Sequence, residues 1–401
     1  MEYDLVFEGG GAKGMVFVGA LDAFTQAGHT AGRLLGTSAG AITATLLAAG
    51  YTGQEMLDAL NEKQQGKPVF MSFLGIPGPF AEGEVRNSAT MEFLEAVDLP
   101  LVPGFVEKRL DKALIALLTE NQKYCHLFSF VEWGGWYAAD AFVSWMEQRL
   151  RSGERNGTKR QFSNMTLGQF FDATGSELTL IASDTAAQQI LVLNHLTAPD
   201  CPVVWAVRMS MSIPLFWQEV EWRKEWGQYR GRDIAGHSIV DGGMLSNFPI
   251  ELLVSDAAHV TAVMGKKTTS NVIGLLIDEN QIVPGAPQPP EAAAGGFAIG
   301  RLKTIQRLKR LVDTMTNAHD KEIVESLSDL VVRLPAKGFG TTEFDMTDER
   351  RTALLAAGRK AMTEHLEKQK TGAKAIDLEQ MEQAQSTATR IATNILSSTL
   401  E

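Results

Sequence analysis

Cysteine is almost missing from this chain: Cys125 and Cys201 are the two in 401 residues. A pair of isolated thiols builds neither a disulfide framework nor a cysteine-rich zinc site, and such scarcity fits a reducing compartment. No apolar run approaches the roughly 18 residues that a membrane span needs. The nearest, Ala39 to Ala49, is short and made mostly of small residues. The start, Met1-Glu2-Tyr3-Asp4, is acidic and runs straight into a strand pattern, so no secretory signal is expected. Positive charge is in deficit as well. Against 48 Asp and Glu stand 37 Lys and Arg, a net charge of -11, which argues against nucleic acid because phosphate recognition needs clustered cations. These absences imply a cytoplasmic protein, with export by a signal-independent route left open.

What is present is an ordinary globular composition, 44% hydrophobic, on a chain long enough to bury a large core. Asp4 to Phe7 reads as a short buried strand, followed by the glycine run Gly9-Gly10-Gly11-Ala12-Lys13-Gly14 and a helix from about Met15 to Ala27. Gly32 to Leu35 reads as a second strand. It ends at Gly36-Thr37-Ser38-Ala39-Gly40, and a helix follows from Ala39 to Ala49. Strand, loop and helix twice in succession predict a parallel sheet covered by helices. Further strands are expected at Glu177–Ala182, Gln189–Leu193, Val203–Arg208, Ser238–Val240, Val260–Val263 and Val272–Ile277, and helices at Ala138–Leu150, Arg301–Leu327 and Asp348–Leu366. Pro284 to Gly296 reads as a linker, and the polar stretch 368–401 gives little sign of packing on anything.

The stretch of about 68–132 has a different character. Phe70 to Phe80 is aromatic and broken by proline, and a periodic stretch near Val106 to Leu118 follows. It reads as an insertion over the sheet, either a lid facing lipid or a helical subdomain with its own core. A second candidate for lipid contact is the basic face of Arg301, Lys303, Arg307, Lys309 and Arg310. Leu302, Ile305, Leu308 and Val312 lie between those cations, a pattern that equally describes a surface helix packed on the core.

Two motifs carry chemistry. Gly36 to Gly40 has the form G-x-S-x-G, a sharp strand-to-helix turn that lifts the Ser38 hydroxyl clear of the backbone at a helix N-terminus. The glycines Gly9, Gly10 and Gly11 lack side chains that would block approach. Their backbone amides can stabilise an oxyanion, each such donor being worth about 3 to 4 kcal/mol. Lys13 adds positive charge nearby or is simply a solvated loop lysine. A serine hydroxyl needs a base. Asp241, opening Asp241-Gly242-Gly243 at the C-terminal end of an apolar strand, stands where α/β sheets place their sites, although Asp-Gly also marks ordinary turns. Of the seven histidines, His29, His126, His195, His237, His259, His319 and His365, the strongest rival base is His237, four residues before Asp241.

Together these pieces resemble the patatin-like phospholipase family of Ser-Asp dyad acyl hydrolases. The matching segments are the loop Gly9 to Gly14, the elbow Gly36 to Gly40 and the triplet Asp241-Gly242-Gly243. Weaker matches are Ser210-Met211-Ser212-Ile213-Pro214, Asn247-Phe248-Pro249, and Glu343 to Thr347 leading into a helix. The resemblance runs in order from residue 4 to about 367; the insertion and the tail lie outside it. It implies an α/β fold, a three-layer α/β/α sandwich around a mostly parallel sheet, with a helical and aromatic insertion and a helical C-terminal region. It implies further that Ser38 is the nucleophile and Asp241 its base, with an oxyanion hole from Gly9, Gly10, Gly11, Ala12, Lys13 and Gly14. The resemblance likewise implies that neither histidine nor metal nor cofactor takes part. The implied substrates are phospholipid or lysophospholipid acyl esters, met by peripheral contact with a membrane surface.

Three other readings remain. Gly9, Gly11 and Gly14 satisfy G-x-G-x-x-G, a dinucleotide fingerprint, but the second strand ends in Gly36-Thr37-Ser38 where that motif wants an acid for the ribose. A Ser-His-Asp hydrolase places several strands before its elbow, and fewer than forty residues precede Ser38. A catalytically dead lipid-binding protein is disfavoured by the intact Ser38 and Asp241.

Overall fold

The computed structural model describes residues 1–96, 115, 121–269, 271–288, 303, 323–371 and 378–397. The first strand, β1 (Glu2–Phe7), is buried from Tyr3 to Phe7, as expected of a central parallel strand covered on both faces. It leads through the glycine loop into α1 (Val16–Gln26). Next come β2 (Thr30–Thr37), α2 (Ala39–Ala48) and α3 (Gly53–Asn61), the last started by a capping box between Thr52 and Glu55. The insertion contributes α4 (Gln122–Glu132) and β3 (Gly135–Tyr137), followed by α5 (Asp140–Arg151). The second half supplies β4 (Leu178–Asp184), β5 (Gln189–Leu193), α6 (Val203–Ser210), β6 (Leu215–Trp217), β7 (Val220–Glu221) and β8 (Ser238–Asp241). After α7 (Ala258–Met264), strands β9 (Val272–Ile282) and β10 (Val331–Lys337) precede the long helices α8 (Asp348–Thr371) and α9 (Leu378–Ser397).

The main sheet has eight strands in the order β7-β8-β4-β2-β1-β9-β10, with β5 paired to β4. From β4 to β10 the pairing is parallel; β5, β7 and β8 are antiparallel. Alternation along β1 sends Leu5 and Phe7 into one buried cluster with α1, α2 and α8, and Val6 into another with α7 and α9. That is the sandwich the resemblance implied, helices covering both faces of a mixed, largely parallel sheet.

Several elements differ from the sequence expectation. Val203–Arg208 is a helix: Pro202 precedes its first turn, and Val203, Val204, Ala206 and Val207 are all buried, an apolar run too short to show the periodicity that marks a helix. Val260–Val263 likewise lies in α7. Strand β10 was not anticipated; it is an edge strand, which is why it tolerates Pro335. The tail is not merely polar. Ala388, Ile391, Ala392, Ile395 and Leu396 of α9 form a buried stripe against the sheet's second face. In the insertion, Phe70 and Phe73 are buried against Phe142 and Trp145, so the aromatic segment is core at that end and not a lipid-facing surface. Val85, Met91, Ile115 and Phe128, with Phe80 against them, make a small separate cluster, which favours the subdomain reading. The expected stretch Val106–Leu118 apart from Ile115, and most of the basic helix Arg301–Leu327, lie outside the described residues. Among the described residues no helix is long and apolar enough to cross a membrane.

Candidate active site

The site forms where β4 changes partners. Strand β2 pairs with β4 as far as Thr37 opposite Ile181, and β8 takes over with Asp241 opposite Ala182. Because β2 runs parallel to β4 and β8 runs antiparallel, the two strands end against consecutive residues of one strand. Ser38 and Asp241, about 200 residues apart in sequence, therefore face each other.

The elbow is tight for steric reasons. A β-carbon on Gly36 would come within 2.3 Å of the Gly40 carbonyl oxygen, and one on Gly40 within 2.2 Å of the Phe7 carbonyl oxygen. Ser38 itself holds φ 55 and ψ -119, a left-handed conformation that a residue with a side chain adopts only under constraint. The constraint is visible. The Ser38 amide donates to Ser210 Oγ at 3.0 Å, and Ser210 Oγ donates in turn to the Ile181 carbonyl at 2.5 Å. Ser210 is completely buried and ties the elbow to β4, the strand on which Ala182 pairs with Asp241.

Asp241 is held from two sides. Its amide donates to the Ser212 carbonyl at 3.0 Å, and its Oδ1 accepts the Gly243 amide at 2.8 Å. Burial pushes its pKa up to about 7, against the pull of the Ser38 hydroxyl and of the Gly243 amide. Oδ2 is buried and, among the described residues, has no hydrogen bond of ordinary geometry, which leaves it open to a proton. A carboxylate so adjusted can exchange protons near neutral pH.

Several amides of the glycine loop already have backbone partners. The Gly9 amide donates to the Asn247 carbonyl at 3.2 Å, the Ala12 amide to the Thr341 carbonyl at 2.8 Å, and the Lys13 amide to the Gly10 carbonyl at 3.2 Å. Those three amides are engaged with backbone carbonyls. Gly14 packs against the elbow helix, its α-carbon so close to Ala39 that an added methyl would sit 2.6 Å away. The Lys13 side chain is buried and paired with Glu279, on β9. Asn247 locks the loop to the segment after Asp241, donating from Nδ2 to the Gly9 carbonyl at 3.0 Å and to Glu8 Oε1 at 3.2 Å. Glu8 Oε2 accepts the Ile277 amide at 2.5 Å. Ser210 and Asn247 carried motif resemblance in the sequence without a role. Glu8 carried no signal at all, since its partners lie some 240 and 270 positions away.

The histidines lie elsewhere. His237 Nδ1 bonds Asp184 Oδ2 at 2.8 Å, at the far end of β8 from Asp241. His126 meets the Trp136 carbonyl, His259 meets Thr393, His365 meets Gln369, and His195 stacks on Phe171. His29 contacts Tyr3 and Phe24; His319 lies outside the described residues.

An apolar cleft opens from Ser38. Its walls include Met15 and Val18, the α2 side chains Ile42 and Leu46, Met56 and Leu60 of α3, and the rings of Phe70, Trp145, Trp217 and Phe344. Thr43 also lines it, but its hydroxyl is spent on the Ala39 carbonyl at 3.1 Å. A serine at the mouth of such a cleft suits an ester whose acyl part is hydrocarbon.

Comparison with known proteins decides the kinship. The family model described as patatin-like phospholipase matches residues 5–254, which include the loop, the elbow and Asp241. The chain belongs to the patatin-like phospholipase family. Membership in that family supports a lipid acyl hydrolase. Among relatives, the uncharacterized protein YqhO of Bacillus subtilis is 27% identical over 90% of this chain and 96% of its own length. The probable lipid hydrolase 463L of invertebrate iridescent virus 6 is 21% identical over 62% of each chain. Among solved structures, VipD from Legionella pneumophila aligns with 91% of this chain at 16% identity and a TM-score of 0.45, and the chain spans 66% of its length.

Proposed function

We propose that this protein hydrolyses fatty acyl esters of phospholipids or lysophospholipids through a Ser38–Asp241 dyad. The observation that carries the reading is the meeting of a strained, buried serine with a buried aspartate of raised pKa, at the mouth of an apolar cleft. Ser38 Oγ attacks the ester carbonyl while its proton passes to Asp241 Oδ2. The carbonyl oxygen becomes an oxyanion beside the amides of Gly10 and Gly11. As that tetrahedral adduct collapses, the ester C–O bond breaks and the leaving alkoxide takes the proton from Asp241, leaving an acyl-serine. Asp241 then accepts a proton from water, hydroxide attacks the acyl carbon, and Ser38 regains its proton as the fatty acid departs. Fixed amides are the economical catalyst here because they need no reorganisation when charge appears.

Contact with a membrane surface is part of the same proposal. With Phe70 and Phe73 buried, the exposed apolar side chains that cluster together are Tyr124, Leu127 and Val131, spaced along one face of α4, and Trp133 just after it. Their exposures are 40, 47, 57 and 39%. This helix leads into β3, which pairs with β6, whose Trp217 lines the cleft. The direct test compares folded Ser38→Ala and Asp241→Asn with the parent on phospholipid and lysophospholipid. Both variants should lose at least a thousandfold in turnover; parent-like hydrolysis by either removes the dyad.

A further inference from the structure

The apolar cleft has a measurable length. Four of its wall residues, Ala39, Ile42, Thr43 and Leu46, follow i, i+3, i+4, i+7 spacing and so form one stripe along α2, which begins immediately after the nucleophile. At ~1.5 Å per residue, the stripe runs ~12 Å from Ser38 to Leu46. No α2 residue past Leu46 lines the cleft, and the helix itself ends in a polar lock. The buried Arg160 guanidinium caps the end of α2, donating to the Ala49 carbonyl at 3.0 Å and to the Gly50 carbonyl at 2.8 Å. It also pairs with Glu55 at 2.7 Å and lies over the Tyr51 ring. Leu46 is the last α2 residue on the cleft wall, so the slot's length along α2 is counted from Ser38 to Leu46.

We infer that this slot is a ruler for acyl chains and that it selects medium-length ones, with Ile42 and Leu46 setting the limit. A zigzag of ~1.5 Å bonds at ~111° advances ~1.25 Å per carbon, so about ten carbons fill the distance from the Ser38 oxygen to Leu46. Ile42 stands half as far along and marks the position of about the fifth carbon by the same measure. The inference rests on the acyl hydrolase reading for its substrate but depends on the slot alone for its length.

The test has two arms so that the two ideas fail separately. In the first, the purified protein is given monodisperse 4-methylumbelliferyl esters from C4 to C16. The expected kcat/KM peaks near C8 to C10 and falls at least tenfold by C16. Ile42→Phe should move the peak to C4 or C6, and Leu46→Ala should move it toward C12, with thermal melts showing that both variants fold. The second arm needs no catalysis. Saturated fatty acids from C6 to C16 are titrated against the fluorescence of Trp145 and Trp217. Affinity should rise about fourfold per added carbon up to C10 and then level off. Ile42→Phe should bring the plateau down to C6. Hydrolysis or affinity that keeps climbing from C10 to C16, or a plateau that Ile42→Phe does not move, overturns the ruler. If no ester is cleaved while the binding plateau holds, the ruler stands and the hydrolase reading fails.

Discussion

Replacing Asp241 by asparagine should stabilise this protein, and by an amount that grows with pH. Burial raises the carboxyl from an ordinary value of 3.8 to about 7. Between those limits the folded state holds a proton that the unfolded chain has released. Stability of the parent therefore falls as pH climbs through that window. Asparagine keeps the carbonyl that accepts the Gly243 amide and cannot ionise, so it escapes the loss. A difference of about 3 pKa units amounts to ~4 kcal/mol above pH 8, of which less than half is present at pH 5. For a chain of this size the unfolding entropy is ~0.8 kcal/mol/K, so the melting-temperature advantage of Asp241→Asn should grow by ~3 °C between pH 5 and pH 8.5. Paired calorimetric melts at the two pH values measure it. An advantage equal at both pH values, or larger at pH 5, refutes the claim that Asp241 is buried with a raised pKa.

The same pKa governs rate with the opposite sign: because the base must be ionised to accept the Ser38 proton, kcat/KM on a soluble ester should rise about tenfold per pH unit below 7 and level off above it, and a profile already flat at pH 5.5 argues against this base. Ser210→Ala should leave the Ser38 amide without its acceptor, costing about 1–3 kcal/mol in urea unfolding and lowering kcat with little change in KM; an equal loss in a variant that still binds substrate less tightly would point to a merely structural role. Leu127→Glu with Val131→Glu on the exposed face of α4 should reduce sedimentation with anionic liposomes severalfold while sparing hydrolysis of a water-soluble ester, and unaltered sedimentation would remove α4 as the lipid contact.

The glycine loop, the elbow and the helices after them were legible because their information is local: a turn that admits no β-carbon has to write glycine within a few residues. Legibility failed where a segment's surroundings decided. The start of α6, Val203 to Val207, is apolar and mostly buried, and an apolar run of that length does not distinguish helix from strand. Val331–Lys337 contains a proline that speaks against a strand until its place at the sheet edge is known. The stripe of α9 could have been counted from its spacing, yet its polar composition concealed it.

The chain by itself determined that a serine would stand on a strained turn ahead of a helix, beside a loop able to offer bare amides, because both depend on sterics among neighbours in sequence. Tertiary structure alone decided which acid is buried beside that serine and which loop amides are engaged elsewhere. Pairing Thr37 and Asp241 with consecutive residues of β4 is an act of sheet register, and the engagement of Gly9 and Ala12 depends on Asn247 and Thr341, which fold back from hundreds of residues away.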